Sequence, residues 1–274
     1  MKSELPKISI VTPSFNQGNF LEQTILSIIN QNYPNLEYII IDGGSTDNSV
    51  DIIKKYEKYI TYWVSEKDNG QTDAINNGFK IATGDIINWI NSDDVLAKNS
   101  LNSISKYFLL NPKTDIVFGK CPLIDENDNI IKHRNIISFS SKALWAPSAT
   151  LIQPATFFRK LILEEIGYLD QSINFVMDQD LYLRMDLANK NFSKVNFIIA
   201  YFRIHTNAKS VKLRNSMKKE LNYILNVKYK SPYNKHLRKL FWFYFRSKKY
   251  IKDIPIKLNF FIRKKRKGLI KYSI

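Results

Sequence analysis

The sequence holds a single cysteine, Cys121, among 274 residues. No intrachain disulfide can form, and a chain of this size that folds without covalent staples suits a reducing compartment. Long apolar runs are missing as well: the densest, residues 240–245, falls far short of the ~18 residues that span a bilayer. The opening residues, 1–6, are polar and lead straight into the apolar residues 8–11, which leaves no room for a signal peptide and makes the cytoplasm the expected location. There is no internal repeat and no low-complexity segment. What is present is apolar content of 44%, enough to bury one sizeable core, or one core with a small appendage.

Acidic residues are scarce at one end only. Residues 209–274 carry 21 Lys or Arg and two acids, Glu220 and Asp253. Taken from the totals of 41 and 25, this leaves 20 basic and 23 acidic residues for positions 1–208, so the net charge of +16 belongs to the tail. The chain reads as a near-neutral globular body with a strongly basic extension. Charge alone fits nucleic acid, anionic lipid or an acidic substrate equally well.

Between Lys7 and Lys120, short β-branched runs (residues 8–11, 38–41, 60–64, 86–90 and 116–118) alternate with stretches of helical period such as 20–30 and 50–59. Ser45, Thr46 and Asp47, good helix-capping types, precede the second of these. The alternation predicts an α/β fold with a mainly parallel sheet, helices on both faces and right-handed crossovers. After Lys120 the rhythm changes. Leu123 and Ile124, a turn-like 125–129, then Ile130 and Ile131 predict a hairpin. Residues 138–155 show no clear period and read as a working loop, and a helix is expected over 178–190, followed by an apolar run at 197–202.

Ligands of such sheets gather beyond the carboxyl ends of the strands, where helix N-termini and free side chains face a common crevice. Four runs here end in polar stretches: residues 12–16, 42–45, 66–70 and 91–94. Each alone is ordinary turn chemistry. Asp93 and Asp94 say more, because adjacent carboxylates repel one another, and a hard divalent cation with a phosphate-rich ligand is a common reason to keep both. His205 closes an apolar run and its imidazole suits the same ion or a diphosphate. Trp145 and Gln153 are candidates for the acceptor side, with core packing an equal reading of Trp145.

In order along the chain, residues 11–16, 39–47, 68–70 with 73–76, 91–94, 153–158, 177–184 and 201–205 resemble the motifs of the family 2 glycosyltransferases, a likeness that spans about residues 6–210. The resemblance implies an inverting transferase of GT-A, Rossmann-like fold, a Mg²⁺ or Mn²⁺ ion and a nucleoside diphosphate sugar donor. It assigns Pro13 and Phe15 to the base and Asp42 and Asp68 to base or ribose, with Asn16 and Asp73 in the same nucleotide motifs. It also assigns Asp93 and Asp94 to metal and ribose, and Asp178 to the catalytic base. Many members carry two acids after the second strand, whereas here the second is Gly43, which bears on the nucleobase; uracil is the first expectation and thymine the next. Inverting transfer needs one carboxylate to take the acceptor proton, and Asp178 opens a helix whose Leu181, Met185 and Ala188 recur at helical spacing.

The expected organisation is a catalytic domain over 1–210, with a nucleotide-binding half (1–120) and an acceptor half (121–210), and a basic helical tail over 211–274. In the tail, Leu237, Leu240, Phe241, Tyr244 and Phe245 recur at spacings of three and four among basic residues, as in interfacial membrane helices, and Arg263 to Lys267 add further charge. A helix packed on the body with a charged outer face fits the same pattern. The expected partners are a saccharide or lipid-linked saccharide acceptor of cell-surface polysaccharide or glycolipid assembly, and the anionic inner face of the cell membrane. A sugar-phosphate nucleotidyltransferase would want a Gly-rich first loop, where this chain has only Gly18. A nucleic-acid-binding protein would not place four acidic loops on one sheet edge, so no nucleic acid is expected.

Overall fold

A computed structural model describes residues 5–146, 151–206, 208 and 213–249. Its first half is the expected alternation: β1 (Ile8–Ser14), α1 (Leu21–Ile29), β2 (Leu36–Asp42), α2 (Ser49–Lys55), β3 (Tyr62–Ser65), α3 (Gln71–Ile81) and β4 (Ile86–Trp89). A short β5 (Val95–Leu96), α4 (Ser100–Leu110) and β6 (Ile116–Lys120) follow. The predicted hairpin is there as β7 (Leu123–Ile124) and β8 (Ile130–Lys132). Then come α5 (Ser141–Trp145), β9 (Thr156–Arg159), α6 (Leu161–Ile166), α7 (Met177–Leu187), β10 (Phe192–Ile198), β11 (Ala200–Arg203) and α8 (Arg214–Tyr223), which runs on into a π turn at Ile224–Lys228. Residues 235–249 are helical.

The main sheet has seven strands in the order β10-β6-β9-β4-β1-β2-β3. Every residue of β1 is buried, as a strand covered on both faces must be. Side chains alternate between two cores with a period of two. Ile8, Ile10, Tyr38, Ile40 and Ile86 meet α1, α2 and α4, while Val11, Ile39, Ile41, Ile87 and Trp89 meet α3, α6 and α7. Gly78 permits the tight crossing of α3 over β1, because a Cβ there would lie 2.3 Å from Val11 Cγ1.

The sheet is mainly parallel, as expected, and three features go beyond the expectations. First, β9 runs antiparallel to both neighbours, β4 and β6, because the chain returns to it from the carboxyl edge and not through a crossover helix. Second, the apolar run 197–202 is split by buried Ile199 between β10 in the main sheet and β11 in a second, four-stranded sheet ordered β5-β11-β7-β8. Third, the aperiodic stretch 138–155 contains helix α5 and a 3₁₀ turn at Gln153–Ala155. Residues 147–150 and the basic run 263–267 lie outside the described residues.

Beyond residue 210, where the sequence fits either a membrane helix or a helix packed on the body, part of the described chain packs on the body. Ile224 and Leu225 are buried in the same core cluster as α3 and α7, with Met217, Leu221 and Tyr229 packed against it. The helix at 235–249 sets Phe245, with Phe241, against Ile137 and Ala143. Leu240, Phe243 and Tyr244 on that helix stay exposed. Among the described residues no helix is long and apolar enough to cross a membrane.

Opposite the carboxyl edge, Glu37 of β2 ties three segments together. It accepts hydrogen bonds from Ser9 Oγ at 2.5 Å, Thr83 N at 2.7 Å and Thr83 Oγ1 at 2.6 Å, and pairs with Lys7 Nζ at 2.7 Å. Burial by itself would raise its pKa, but these bonds outweigh it and hold the carboxyl at about 2, below its ordinary 4.5. The stability contributed is therefore complete above pH 4.5 and lost as the pH falls towards 2. Urea unfolding should show the parent losing on the order of 2–3 kcal/mol through this carboxyl across that window. The Glu37→Gln variant should be less stable at pH 7 and should lack that part of the loss; parallel pH curves would refute the assignment.

Candidate active site

The carboxyl ends of β1, β2 and β3 are level, with Ser14 opposite Asp42 and Asp42 opposite Ser65. The loops that follow them, and the one after β4, open onto a cleft of about 730 Å³. Pro13, Ser14 and Phe15 enter it from β1, Gly43 and Gly44 from β2, Lys67 and Asp68 from β3, and Asn91, Ser92 and Asp93 from β4. Gln153 joins because antiparallel β9 starts at this edge, and Asn174, Phe175, Met177 and Asp178 join from the start of α7. Phe15 presents an exposed ring, and Ser14 Oγ is buried with no hydrogen-bond partner among the described residues.

Three of the expected nucleotide residues, Asp42, Asn16 and Asp73, brace the cleft and do not line it. Asp42 is fully buried; its carboxylate accepts from Ser45 N at 2.8 Å, Ser45 Oγ at 2.6 Å and Ser65 Oγ at 2.7 Å. Two of these bonds close the loop after β2 and the third ties it to the end of β3. Asn16, at φ 51°, accepts from Thr46 N at 2.9 Å and donates its own N–H to Ser45 Oγ at 2.8 Å, which stitches the first two loops together. Asp73 has a similar task on α3, accepting from Asn69 N at 3.1 Å and Gln171 Nε2 at 2.9 Å. Asp68 does face the cleft, with Gly70 N donating to its Oδ1 at 2.8 Å. Gly43 makes room for it: a Cβ there would sit 2.9 Å from Asp68 Oδ2.

Asp93 and Asp94, equals in the sequence, point in different directions. Asp93 lines the cleft, and its Oδ2 lies 3.1 Å from His205 Nε2, whose ring is 4.6 Å from that of Phe20. Asp94 is 1% exposed and turned inward, accepting from Arg203 N at 3.0 Å and Asn91 Nδ2 at 3.3 Å. Burial, and then the charge of Asp93, push its carboxyl well above the ordinary carboxylate value. Behind the pair, the fully buried Arg203 donates from Nε to the Asp93 carbonyl at 2.8 Å and from Nη1 to the Asp125 carbonyl at 3.0 Å, and pairs with Asp128 at 2.7 Å. One guanidinium thus fastens the loop after β4 to the β7–β8 hairpin. Among the described residues no three His, Cys, Asp or Glu side chains gather around one point.

Asp178 also lines the cleft, in the first turn of α7, and its carboxylate accepts from Gln179 N at 2.8 Å and from its own backbone N–H. Burial raises its pKa above the ordinary value, and these backbone hydrogen bonds do not offset it. Trp145 is elsewhere: it is 3% exposed and packed in the core with Leu144, and it hydrogen-bonds Asp186. Its indole has no face on the cleft, so the packing reading is the one observed. Gln153 reaches the cleft but spends its amide on Trp89 O at 2.6 Å and Asn88 Oδ1 at 3.1 Å. Ser14, Lys67, Asn91 and Met217 also line the cleft and were not singled out by sequence. The first three lie within the polar stretches that end three of the strands; Met217 carried no local signal.

A family model described as glycosyl transferase family 2 matches residues 9–185. An uncharacterized glycosyltransferase of Mycobacterium tuberculosis is 30% identical over 190 residues, 66% of this chain and 70% of that one. Another, of Haemophilus influenzae, is 38% identical over 131 residues, 47% of this chain and 52% of its own length. Among solved structures, S. aureus TarS 1–349 in complex with UDP-GlcNAc matches with a TM-score of 0.66 at 16% identity, covering 87% of this chain and 71% of that one. The mannosyltransferase PcManGT from Pyrobaculum calidifontis, in complex with GDP-Man and Mn²⁺, matches with a TM-score of 0.63 at 13% identity, over 88% and 69%. These two likenesses establish the GT-A fold.

Because Asp94 holds a buried backbone N–H and Asp93 does not, the two should respond differently to truncation. Asp94→Ala should lose about 1–3 kcal/mol in urea unfolding, since the Arg203 N–H and the Asn91 amide are left unpaired. Asp93→Ala should lose less than half as much. Equal losses would show that the inward carboxylate is not a brace.

Proposed function

The chain belongs to the family 2 glycosyltransferases, and from that membership we propose that it moves a sugar, with inversion, from a uridine diphosphate sugar to an acceptor hydroxyl. The observation that carries this reading is that one cleft is lined both by Asp178, from α7, and by Asp93, from the loop after β4. Transfer with inversion asks for one base near the attacking hydroxyl and for charge stabilisation near the leaving diphosphate. Asp178 takes the proton of the acceptor O–H as its oxygen forms a bond to C1. The bond from C1 to the diphosphate oxygen breaks, and its electron pair leaves with the nucleoside diphosphate. A raised pKa makes Asp178 a stronger proton acceptor once it is ionised.

The donor set also fits a divalent ion. Asp93 supplies a hard oxygen and His205 an imidazole nitrogen, 3.1 Å apart at the end of β4, and Mg²⁺ or Mn²⁺ accepts so sparse a protein contribution when phosphate oxygens and water complete its shell. When bound there, the ion would offset the negative charge of the diphosphate. The base slot is formed by Pro13, the Phe15 ring and Asp68, with Ser14, whose Oγ has no hydrogen-bond partner among the described residues, lining the same cleft. Uracil remains the first choice of base, in keeping with the TarS complex with UDP-GlcNAc.

The acceptor side is assigned to the wall built by Asn174, Phe175, Met177 and Met217 beside Asp178. Its half-apolar character suits a saccharide ring face or a lipid-linked saccharide of a cell-surface polysaccharide pathway. Attachment to the cytoplasmic face of the membrane is assigned to the helix at 235–249. That helix keeps Leu240, Phe243 and Tyr244 at 62%, 53% and 51% exposure among basic residues.

Two experiments test this reading. Asp178→Asn should leave the thermal shift by UDP-sugars with Mn²⁺ intact while turnover falls by about 10²–10⁴. The acid limb of the parent kcat profile should lie above pH 3.8, because the base must be deprotonated and burial raises its pKa. Asp180→Asn should instead cost stability, since Asp180 is buried among Arg184, Lys228 and Tyr229. Turnover within a few-fold of the parent in Asp178→Asn, or no stabilisation by any nucleotide sugar, would overturn the assignment. The second experiment replaces Leu240 and Phe243 together by Glu. Co-sedimentation with anionic vesicles should be lost and nucleotide binding kept, and unchanged co-sedimentation would refute the membrane role.

A further inference from the structure

Helix α8 and its π turn lie beyond the segment that matches the family, residues 9–185, yet they hold the element that carries Asp178 at two points. The first is Glu220. Its carboxylate accepts the backbone N–H groups of Asn174 at 2.8 Å, Phe175 at 2.7 Å and Val176 at 2.9 Å, the residues that lead into α7. The second is Lys228. Its ammonium donates to Asp180 Oδ1 at 2.6 Å and Asp170 Oδ2 at 2.7 Å. Asp180 in turn accepts from Tyr229 Oη at 2.8 Å and Arg184 Nε at 3.0 Å, and Arg184 donates to the carbonyls of Ile166, Gly167 and Tyr168.

The first turn of α7 has no side-chain cap of its own. A helix without a local cap takes its starting point from whatever satisfies the N–H groups ahead of it, and here that is a carboxylate from 44 to 46 residues further along the chain. Between the two grips, Ile224 and Leu225 are buried at 0% and 2% exposure, so the clamp is anchored in the core. One turn before Glu220, Met217 lines the cleft beside Asn174 and Phe175. The same short helix therefore both fixes the loop before α7 and contributes to the wall that loop forms.

We propose that Glu220 and Lys228 are positioning residues that fix the loop 170–176 and the first turn of α7, and thereby set the approach of Asp178 to the acceptor hydroxyl. This rests on the reading of Asp178 as the base. A clamp of this kind acts on turnover and leaves the nucleotide side of the cleft, built from the ends of β1 to β4, as it was. Misplacing a reacting group by about an ångström costs on the order of 10² in rate, which bounds the effect.

The test uses the full chain with Glu220→Ala, Glu220→Gln, Lys228→Met and Asp178→Asn. Four quantities are measured: thermal stability, the Kd of UDP-GlcNAc or of whichever nucleotide sugar stabilises the parent more, the rate of its hydrolysis, and amide hydrogen exchange at 174–176. In Glu220→Ala the rate should fall by about 10–100-fold with Kd within about twofold, and exchange at those amides should quicken about tenfold or more. Glu220→Gln, which keeps an accepting oxygen, should recover most of the rate, and Lys228→Met should resemble Glu220→Ala. Should Glu220→Ala fail to fold, Lys228→Met and Glu220→Gln carry the same comparison of rate against Kd. Parent-like turnover despite fast exchange, unchanged exchange, or loss of rate and affinity in equal proportion would each overturn the clamp. Parent-like turnover in Asp178→Asn would overturn the base reading alone, because the exchange measurement does not depend on which carboxylate moves the proton.

Discussion

The cleft starts from parallel pairing. Strands β1, β2, β3 and β4 run in one direction in fixed register, so the loops after them open at one edge and their turn residues meet there. Covering both faces of such a sheet requires side chains that alternate between two cores, and the two clusters divide the strand residues in that way. Once the faces are dry, the carboxyl edge is where polar side chains can face a ligand without being buried unpaired. Strand β9 shows the same constraint from the other side. It runs backwards, and so it delivers the turn before it, which begins at Gln153, to the edge where the parallel strands deliver the residues after them.

Carboxylates are divided between bracing and facing the cleft. Asp42, Asp94 and Asp180 are each at most 1% exposed and spend their oxygens on protein donors. Asp68, Asp93 and Asp178 open onto the cleft. The braces settle a conflict that the facing acids create. Two ionised carboxylates side by side repel, and at the end of β4 Asp94 is turned inward to a backbone N–H, where burial first, and then the charge of Asp93, raise its pKa. On α7 the arrangement is repeated at a spacing of two residues, which places Asp178 and Asp180 on different sides of the helix, one towards the cleft and one towards Lys228 and Arg184.

The C-terminal part of the chain is joined to the body by both apolar and charged contacts. Ile224 and Leu225 enter the core shared by α3 and α7, and Lys228 is held by two acids whose pull outweighs the burial that would lower its pKa. Excess positive charge in that region is therefore not all solvated surface. Lys228 neutralises Asp170 and Asp180 of the body, and further basic residues lie on the helix at 235–249 among the exposed aromatics.

Much of this was legible in the sequence. Strand periodicity, the polar stretches after the runs, the 125–129 turn and the acid at the start of α7 are all local signals, set by residues within a few positions of one another. Trp145 and Gln153 show where that reading ends, since a large apolar ring and an amide fit a core and a cleft equally well until their neighbours are known. The tertiary structure alone decided that Trp145 packs inward, that Asp93 and not Asp94 meets the cleft, and that α8 belongs to the body. The reason is sequence distance. Arg203 reaches Asp94 across 109 residues, Lys228 reaches Asp180 across 48 and Glu220 reaches Val176 across 44. No local pattern encodes which of two neighbouring carboxylates a partner so remote will bind; the packing of the sheets and helices that bring the partner there does.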